Sequence, residues 1–249
     1  MKIIPVRTGS SGNFYVLSTS NNNNYLIECG ISKTDITKAL WELGYSISDF
    51  QACFISHSHS DHCASIKWVA KYMPVFSNSQ VKEKFNNVVN LEVLTPTKKY
   101  EIKDLKVIPF PLEHGNTENY GYMFKDDVDT ILFMTDFSTC YCNIFNNIFN
   151  EIFIECNWNR ELIEGYEGEL KENRQINTHC SCDITKYCLL KLNLDNCRKI
   201  TLIHSSDSYC DKEMSLNQLR KALPGKNIEF AKNLIYGAKN ENRKRIFIH

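Results

Sequence analysis

The run Ser56-His57-Ser58-His59-Ser60-Asp61-His62 constrains this chain more than any other stretch. It sets three histidines and an aspartate within six residues, directly after the apolar segment Ala52–Ile55, which reads as a buried strand. Imidazole is a good ligand for zinc and its divalent neighbours, and a carboxylate adds charge neutralisation. Ligands spaced i, i+2 at the end of an extended strand point the same way. That spacing suits His57 and His59, while Asp61 and His62 turn towards a second ion as the chain enters a helix. The pattern predicts a two-metal hydrolytic site. Four of the seven histidines lie elsewhere, so the run is not a by-product of general histidine enrichment.

At 249 residues the chain is at the upper end of a single domain. It has no Pro/Gly/Ser-rich linker and no shift of composition, so one domain over residues 1–249 is expected. Lys and Arg number 29, as do Asp and Glu. The overall basic excess that usually meets a long nucleic acid is therefore absent, although a local patch stays open. Met1–Arg7 is too short an apolar run for a signal peptide, and no stretch approaches the ~18 apolar residues of a membrane span. With eleven cysteines, this points to reduced thiols in a cytoplasm and to no membrane partner. The pairs Cys140/Cys142 and Cys180/Cys182 lack the spacing of a zinc knuckle.

Apolar patterning predicts strands at 2–7, 14–18, 25–29, 52–55, 105–110, 120–124, 130–134, 152–155 and 199–203. Helices are predicted at 34–43, with Ser32 or Thr34 as the cap, and at 61–72, 183–192 and 213–222. Strands alternating with helices on both sides of the histidine run predict an α/β sandwich. Three more candidate ligands each end an apolar strand: His114 after Val107–Glu113, Asp136 after Ile131–Thr135, and His204 after Ile200–Ile203. Any one of them alone reads equally well as a cap or a satisfied core group. Strand ends at one edge of a sheet converge, which is the usual place for an α/β active site.

With these residues in place, the chain resembles the metallo-β-lactamase superfamily, in its phosphodiesterase branch of RNase Z enzymes, WalJ-type DNA exonucleases and phage anti-Pycsar cyclic-nucleotide phosphodiesterases. The quoted motifs are Gly9-Ser10-Ser11-Gly12-Asn13, the Leu26–Gly30 strand end followed by Ile31-Ser32, Ser56–His62, Thr135-Asp136, and Phe153-Ile154-Glu155-Cys156-Asn157. The resemblance implies an αββα sandwich holding two divalent metal ions, with zinc favoured and manganese the alternative. His57, His59 and His114 would hold the first ion, Asp61, His62 and His204 the second, and Asp136 would bridge them. It further implies that His179 acts as a proton donor supported by Glu155, and that the chain forms a homodimer. Without the resemblance, His179 reads equally well as a surface or cap histidine.

Two divalent ions less the charges of Asp61, Asp136 and a bridging hydroxide leave a single positive excess suited to a singly charged diester. Ser205, Ser206 and Tyr209 are placed to contact phosphate or base, and Trp158, Tyr166 and Tyr209 to stack a nucleobase. The neutral net charge, and five glutamates against two basic residues in Arg160–Glu172, favour a small nucleotide substrate, above all 3′,5′-cyclic nucleotides, with clearance of a signalling nucleotide as the role. Overall motif likeness favours the alternative, a DNA or RNA exonuclease acting on single-stranded nucleic acid. A catalytically silent metal-binding protein of the same fold is the third reading.

Overall fold

The computed structural model describes residues 1–139, 147–163 and 176–234. Three antiparallel strands come first, β1 (Lys2–Arg7), β2 (Phe14–Ser18) and β3 (Asn24–Ile27), joined by Gly- and Asn-rich turns. Helix α1 (Lys33–Glu42) crosses over to β4 (Phe50–Phe54), its N-terminus capped by the Ser32 hydroxyl, which accepts from the Asp35 N–H. The short helices α2 (Ser60–Cys63) and α3 (Ile66–Val69) lead to β5 (Val75–Ser77), and α4 (Ser79–Lys84) leads to β6 (Leu91–Val93). From β3 to β6 the pairing is parallel, and the sheet order is β1-β2-β3-β4-β5-β6.

The second half repeats this plan. β7 (Tyr100–Ile102), β8 (Leu105–Leu112), β9 (Asn119–Lys125) and β10 (Thr130–Met134) pair antiparallel. β11 (Glu151–Glu155), β12 (Lys199–Ile203) and β13 (Ile228–Phe230) then extend the sheet in parallel from β10. α5 (Arg160–Ile163) and α6 (Cys182–Lys191) lie between β11 and β12, and α7 (Lys212–Ala222) precedes β13.

Period-two alternation in the strands builds three apolar layers. Tyr15, Leu17, Tyr25 and Phe54 of the first sheet meet Val107, Tyr122, Phe124, Phe133 and Phe153 of the second, with the Tyr15 and Phe133 rings edge to face at 5.0 Å. The opposite face of the first sheet, Val16, Leu26 and Cys53, packs on Ile36 and Leu40 of α1 and Ile66 and Val69 of α3. The outer face of the second, Leu132, Ile152, Ile154 and Leu202, packs on Cys188 and Leu189 of α6 and Leu219 of α7. The layers are thus α, β, β and α, as expected from the sequence. Among the described residues no helix is long and apolar enough to cross a membrane.

The predicted helix over 61–72 is instead two single turns, and the cause is visible in the backbone. In a continuous helix the Ser65 N–H would bond the Asp61 carbonyl. That carbonyl accepts from the Asn13 N–H at 2.7 Å, and Ser65 donates to Cys29 O at 3.0 Å. The same seam includes Cys29 N–H to His62 O at 2.8 Å and Gly30 N–H to Asn13 O at 2.9 Å. The loop after β1, the end of β3 and the histidine run are therefore sewn together through main chain. A Cβ on Gly30 would lie 1.6 Å from the Asp61 carbonyl oxygen, with backbone on both sides. Gly30→Ala is accordingly expected to cost on the order of 3 kcal/mol or more of folding stability, read as a lowered midpoint in chemical denaturation.

Candidate metal centre

Most of the predicted ligands sit where strands end on one edge of the two sheets, and Asp61 and His62 lie just beyond, on α2. His57 and His59 follow β4, His114 follows β8, Asp136 follows β10, and His204 follows β12. β8, β10 and β12 run in one direction, so their C-terminal ends meet at that edge. Their donor atoms form three groups compact enough to hold an ion: His57, His59 and His114; Asp61, His62, Asp136 and His204; and Asp136, Glu155, His179 and His204.

In the first group His59 Nδ1 lies 3.0 Å from His57 Nε2 and 3.1 Å from His114 Nε2. His114 has its proton on Nδ1, which donates to the Thr178 carbonyl at 2.6 Å, so Nε2 presents a lone pair. Burial pushes the His57 and His114 imidazoles below their ordinary pKa, and His59 down to about 4, which keeps all three neutral. Three neutral imidazole nitrogens facing one another cannot all be satisfied by protons. A tetrahedral ion satisfies them together, since Zn–N distances near 2 Å place ligand nitrogens roughly 3.3 Å apart.

The second group is richer in charge. Asp136 Oδ1 lies 3.4 Å from both His62 Nε2 and His204 Nε2, and Asp61 Oδ2 lies 3.5 and 3.6 Å from the same two atoms. Burial disfavours the ionised form of Asp136, but the facing His204 and His62 outweigh it and hold the carboxyl well below the usual range. The reverse holds for His204: burial lowers its pKa, yet Asp136, Asp61 and Glu155 lift it to about 10. This cluster calls for positive charge, which a divalent cation supplies. His204 Nε2 is buried and has no hydrogen-bond partner, as a nitrogen reserved for a ligand bond would be. Asp136 reaches the first group as well, with Oδ2 3.9 Å from His57 Nε2. The donor set fits divalent metal.

Glu155 is fully buried and takes three donors. Oε2 accepts from the Phe137 N–H at 2.9 Å and the Cys180 N–H at 3.2 Å. Oε1 accepts from His179 Nδ1 at 2.7 Å and faces His204 Nδ1 at 3.3 Å. His179 is 17 % exposed and stacks on His204 with ring centroids 5.2 Å apart. Glu28, Asp136 and His204 all adopt left-handed backbone, with φ of 61°, 53° and 52°, so the chain turns sharply at each strand end.

Three contributors to the site went unassigned in the sequence. Glu28, fully buried, accepts from the Ser56 N–H at 3.2 Å and faces His62 Nδ1 at 3.4 Å, which turns Nε2 towards the cluster. A carboxylate ending the apolar run Tyr25–Ile27 was the available signal. Asn13 donates its amide to the Asp61 carbonyl at 3.2 Å, and Asn157 donates to the His204 carbonyl at 2.6 Å. Trp158 departs from the stacking role considered for it: it is buried, and its indole N–H donates to the His179 carbonyl at 3.0 Å. The Ser206 hydroxyl closes its own turn by accepting from the Tyr209 N–H at 3.2 Å. Cys140, Cys142, Tyr166 and most of the acidic stretch Arg160–Glu172 lie outside the described residues.

The family model described as anti-Pycsar protein Apyc1 matches residues 7–81, the part of the chain that carries the histidine run. Exodeoxyribonuclease WalJ of Streptococcus pneumoniae is 26% identical over 242 residues, covering 90% of each chain. Anti-Pycsar protein Apyc1 of Bacillus phage vB_BsuM-Goe3 is 35% identical over 77 residues, 28% of this chain and 29% of that one. Among solved structures, the metallo-β-lactamase fold protein YhfI from Bacillus subtilis superposes with a TM-score of 0.71 at 14% identity, covering 93% of this chain and 96% of the other. The chain has the metallo-β-lactamase fold. The likeness to WalJ and Apyc1 supports the phosphodiesterase branch and is consistent with a metal-dependent phosphodiester hydrolase.

If Glu28 aims His62 at an ion, removing its charge weakens the ion's hold without removing a ligand. Glu28→Gln is expected to lower zinc affinity roughly 10-fold or more, measured by competition with a chromophoric chelator, with the far-ultraviolet circular dichroism unchanged.

Proposed function

We propose that this chain is a dinuclear metal-dependent phosphodiesterase that hydrolyses small nucleotides, 3′,5′-cyclic mononucleotides foremost. The observation that carries this reading is the pair of ligand clusters sharing Asp136, with His179 held on Glu155 beside them. His57, His59 and His114 would hold one ion, Asp61, His62 and His204 the other, and Asp136 would bridge. The nitrogen-rich set suits zinc, with manganese the alternative. Divalent ions held there activate water at neutral pH and neutralise charge on the phosphoryl group.

The chain's own residues supply the rest. Glu155 engages His179 Nδ1, which leaves Nε2 as the nitrogen that delivers a proton to the leaving oxygen. The buried Glu155 carboxylate stabilises the imidazolium and keeps the ring oriented, and the stacked His204 ring limits its tilt. Asp136 and Asp61 would offset part of the charge of the ions, and the positive excess that is left suits an anionic phosphodiester.

Neutral net charge supports a small substrate, as does the anti-Pycsar model over residues 7–81. The resemblance supports clearance of a signalling nucleotide as the role, by a cytoplasmic homodimer. The full-length similarity to WalJ supports the second reading, an exonuclease acting on single-stranded DNA or RNA.

A panel of 3′,5′-cyclic mononucleotides, assayed with added zinc or manganese and read by chromatography, separates the two. Conversion to linear mononucleotides, abolished by Asp136→Ala, is the expected result. A panel left intact while single-stranded ends are degraded would overturn the cyclic-nucleotide reading. On whichever substrate is turned over, His179→Ala should slow turnover by roughly 10²–10⁴ with metal content intact. Loss of metal in that variant would reassign His179 as a ligand.

A further inference from the structure

His204 is held differently from the other ligands. Its φ of 52° lies in the left-handed region, which a side chain with a Cβ occupies only when its surroundings hold it there. The last strand bond before it is Cys156 N–H to Ile203 O at 3.1 Å. Beyond that point two side chains clamp its peptide groups. Asn157 Nδ2 donates to its carbonyl at 2.6 Å, and its own N–H donates to Thr8 Oγ1 at 2.7 Å.

Thr8 belongs to the other sheet, immediately after β1. Its hydroxyl oxygen also accepts from Tyr15 O–H at 2.7 Å, so one oxygen receives a donor from each sheet. Burial pushes the Tyr15 phenol above its ordinary pKa, which keeps it a donor. The Thr8 main chain is pinned in turn: its N–H donates to Asn233 Oδ1 at 2.9 Å, and Leu234 N–H donates to Val6 O at 2.9 Å alongside. The Thr8 hydroxyl is therefore a fixed point, and His204 is hung from it.

We propose that Thr8 is a positioning residue for the metal centre: its Oγ1 fixes the left-handed backbone of His204, and so aims Nε2 at the ion shared with Asp61, His62 and Asp136. The inference rests on the dinuclear reading above. It makes a selective demand. His57, His59 and His114 are carried by β4 and β8, and none of their hydrogen bonds passes through Thr8. A role confined to joining the two sheets would touch both ion sites alike, whereas a role in aiming His204 touches one.

The test measures zinc bound per full-length chain after dialysis against a series of buffered free zinc concentrations, for the wild type, Thr8→Val and Thr8→Ser. Valine keeps the shape and loses the acceptor; serine keeps the acceptor. The expected result is two equivalents in the wild type. Thr8→Val should retain one of them at wild-type affinity and hold the other roughly 10- to 100-fold more weakly, with Thr8→Ser restoring it. Two equivalents at unchanged affinity in Thr8→Val would overturn the inference, as would equal weakening of both ions or a failure of serine to rescue. A wild type that takes up a single equivalent would instead overturn the dinuclear reading, and the inference with it.

Discussion

A single buried carboxylate organises the catalytic edge of this protein. Glu155 has no contact with solvent, and an ion in that position is tolerable only if its lone pairs are filled. Three donors reach it, from the turn after β10, from the loop that carries His179 and from His179 itself, and the His204 ring faces it at 3.3 Å. One side chain thus gathers segments that lie 18 to 25 residues away in sequence. Two of the three donors are backbone N–H groups, so the carboxylate fixes main chain as well as the His179 ring. In the proposed reading the rest of the site presupposes this: His179, as proton donor, and His204, as ligand, would share one reference point.

The doubled plan of the fold explains why such a site exists at all. Each sheet passes from an antiparallel wing to a parallel one. Parallel strands deliver their C-terminal ends to the same side, and connections there are free to carry polar groups, while the strands themselves are buried on both faces. The two sheets pack through Tyr15, Phe54, Phe124 and Phe133, which brings their ligand-bearing edges within bonding distance of each other. Asp136 on the second sheet and the histidine run on the first meet only because that aromatic layer sets the spacing.

Most of this was legible in the sequence because ligand type and strand ends are local signals. β1, β2, β10 and β12 match their predicted spans, and His114, Asp136 and His204 each follow a strand, as their places after apolar runs predict. The parts that were not legible depend on contacts between distant segments. β5, β6, β7 and β13 have three residues each, too few to show an alternation. The break in the predicted 61–72 helix arises from Asn13 taking the Asp61 carbonyl, which no pattern within 61–72 encodes. Trp158 reads as an exposed stacking ring until the His179 carbonyl is seen to lie on its indole nitrogen. Glu28 was half visible, as a charge where an apolar strand should have ended quietly.

Glu28, Asp136 and His204 share the left-handed backbone described above. For residues bearing a Cβ this conformation costs on the order of 1 kcal/mol each, and glycine would relieve it at every one of the three. Glycine would also delete the carboxylates and the imidazole for which the turns exist. Selection for a more robust fold and selection for chemistry therefore pull in opposite directions at these positions. A programme of directed evolution rewarded only for heat resistance would be drawn to erode this edge of the molecule first.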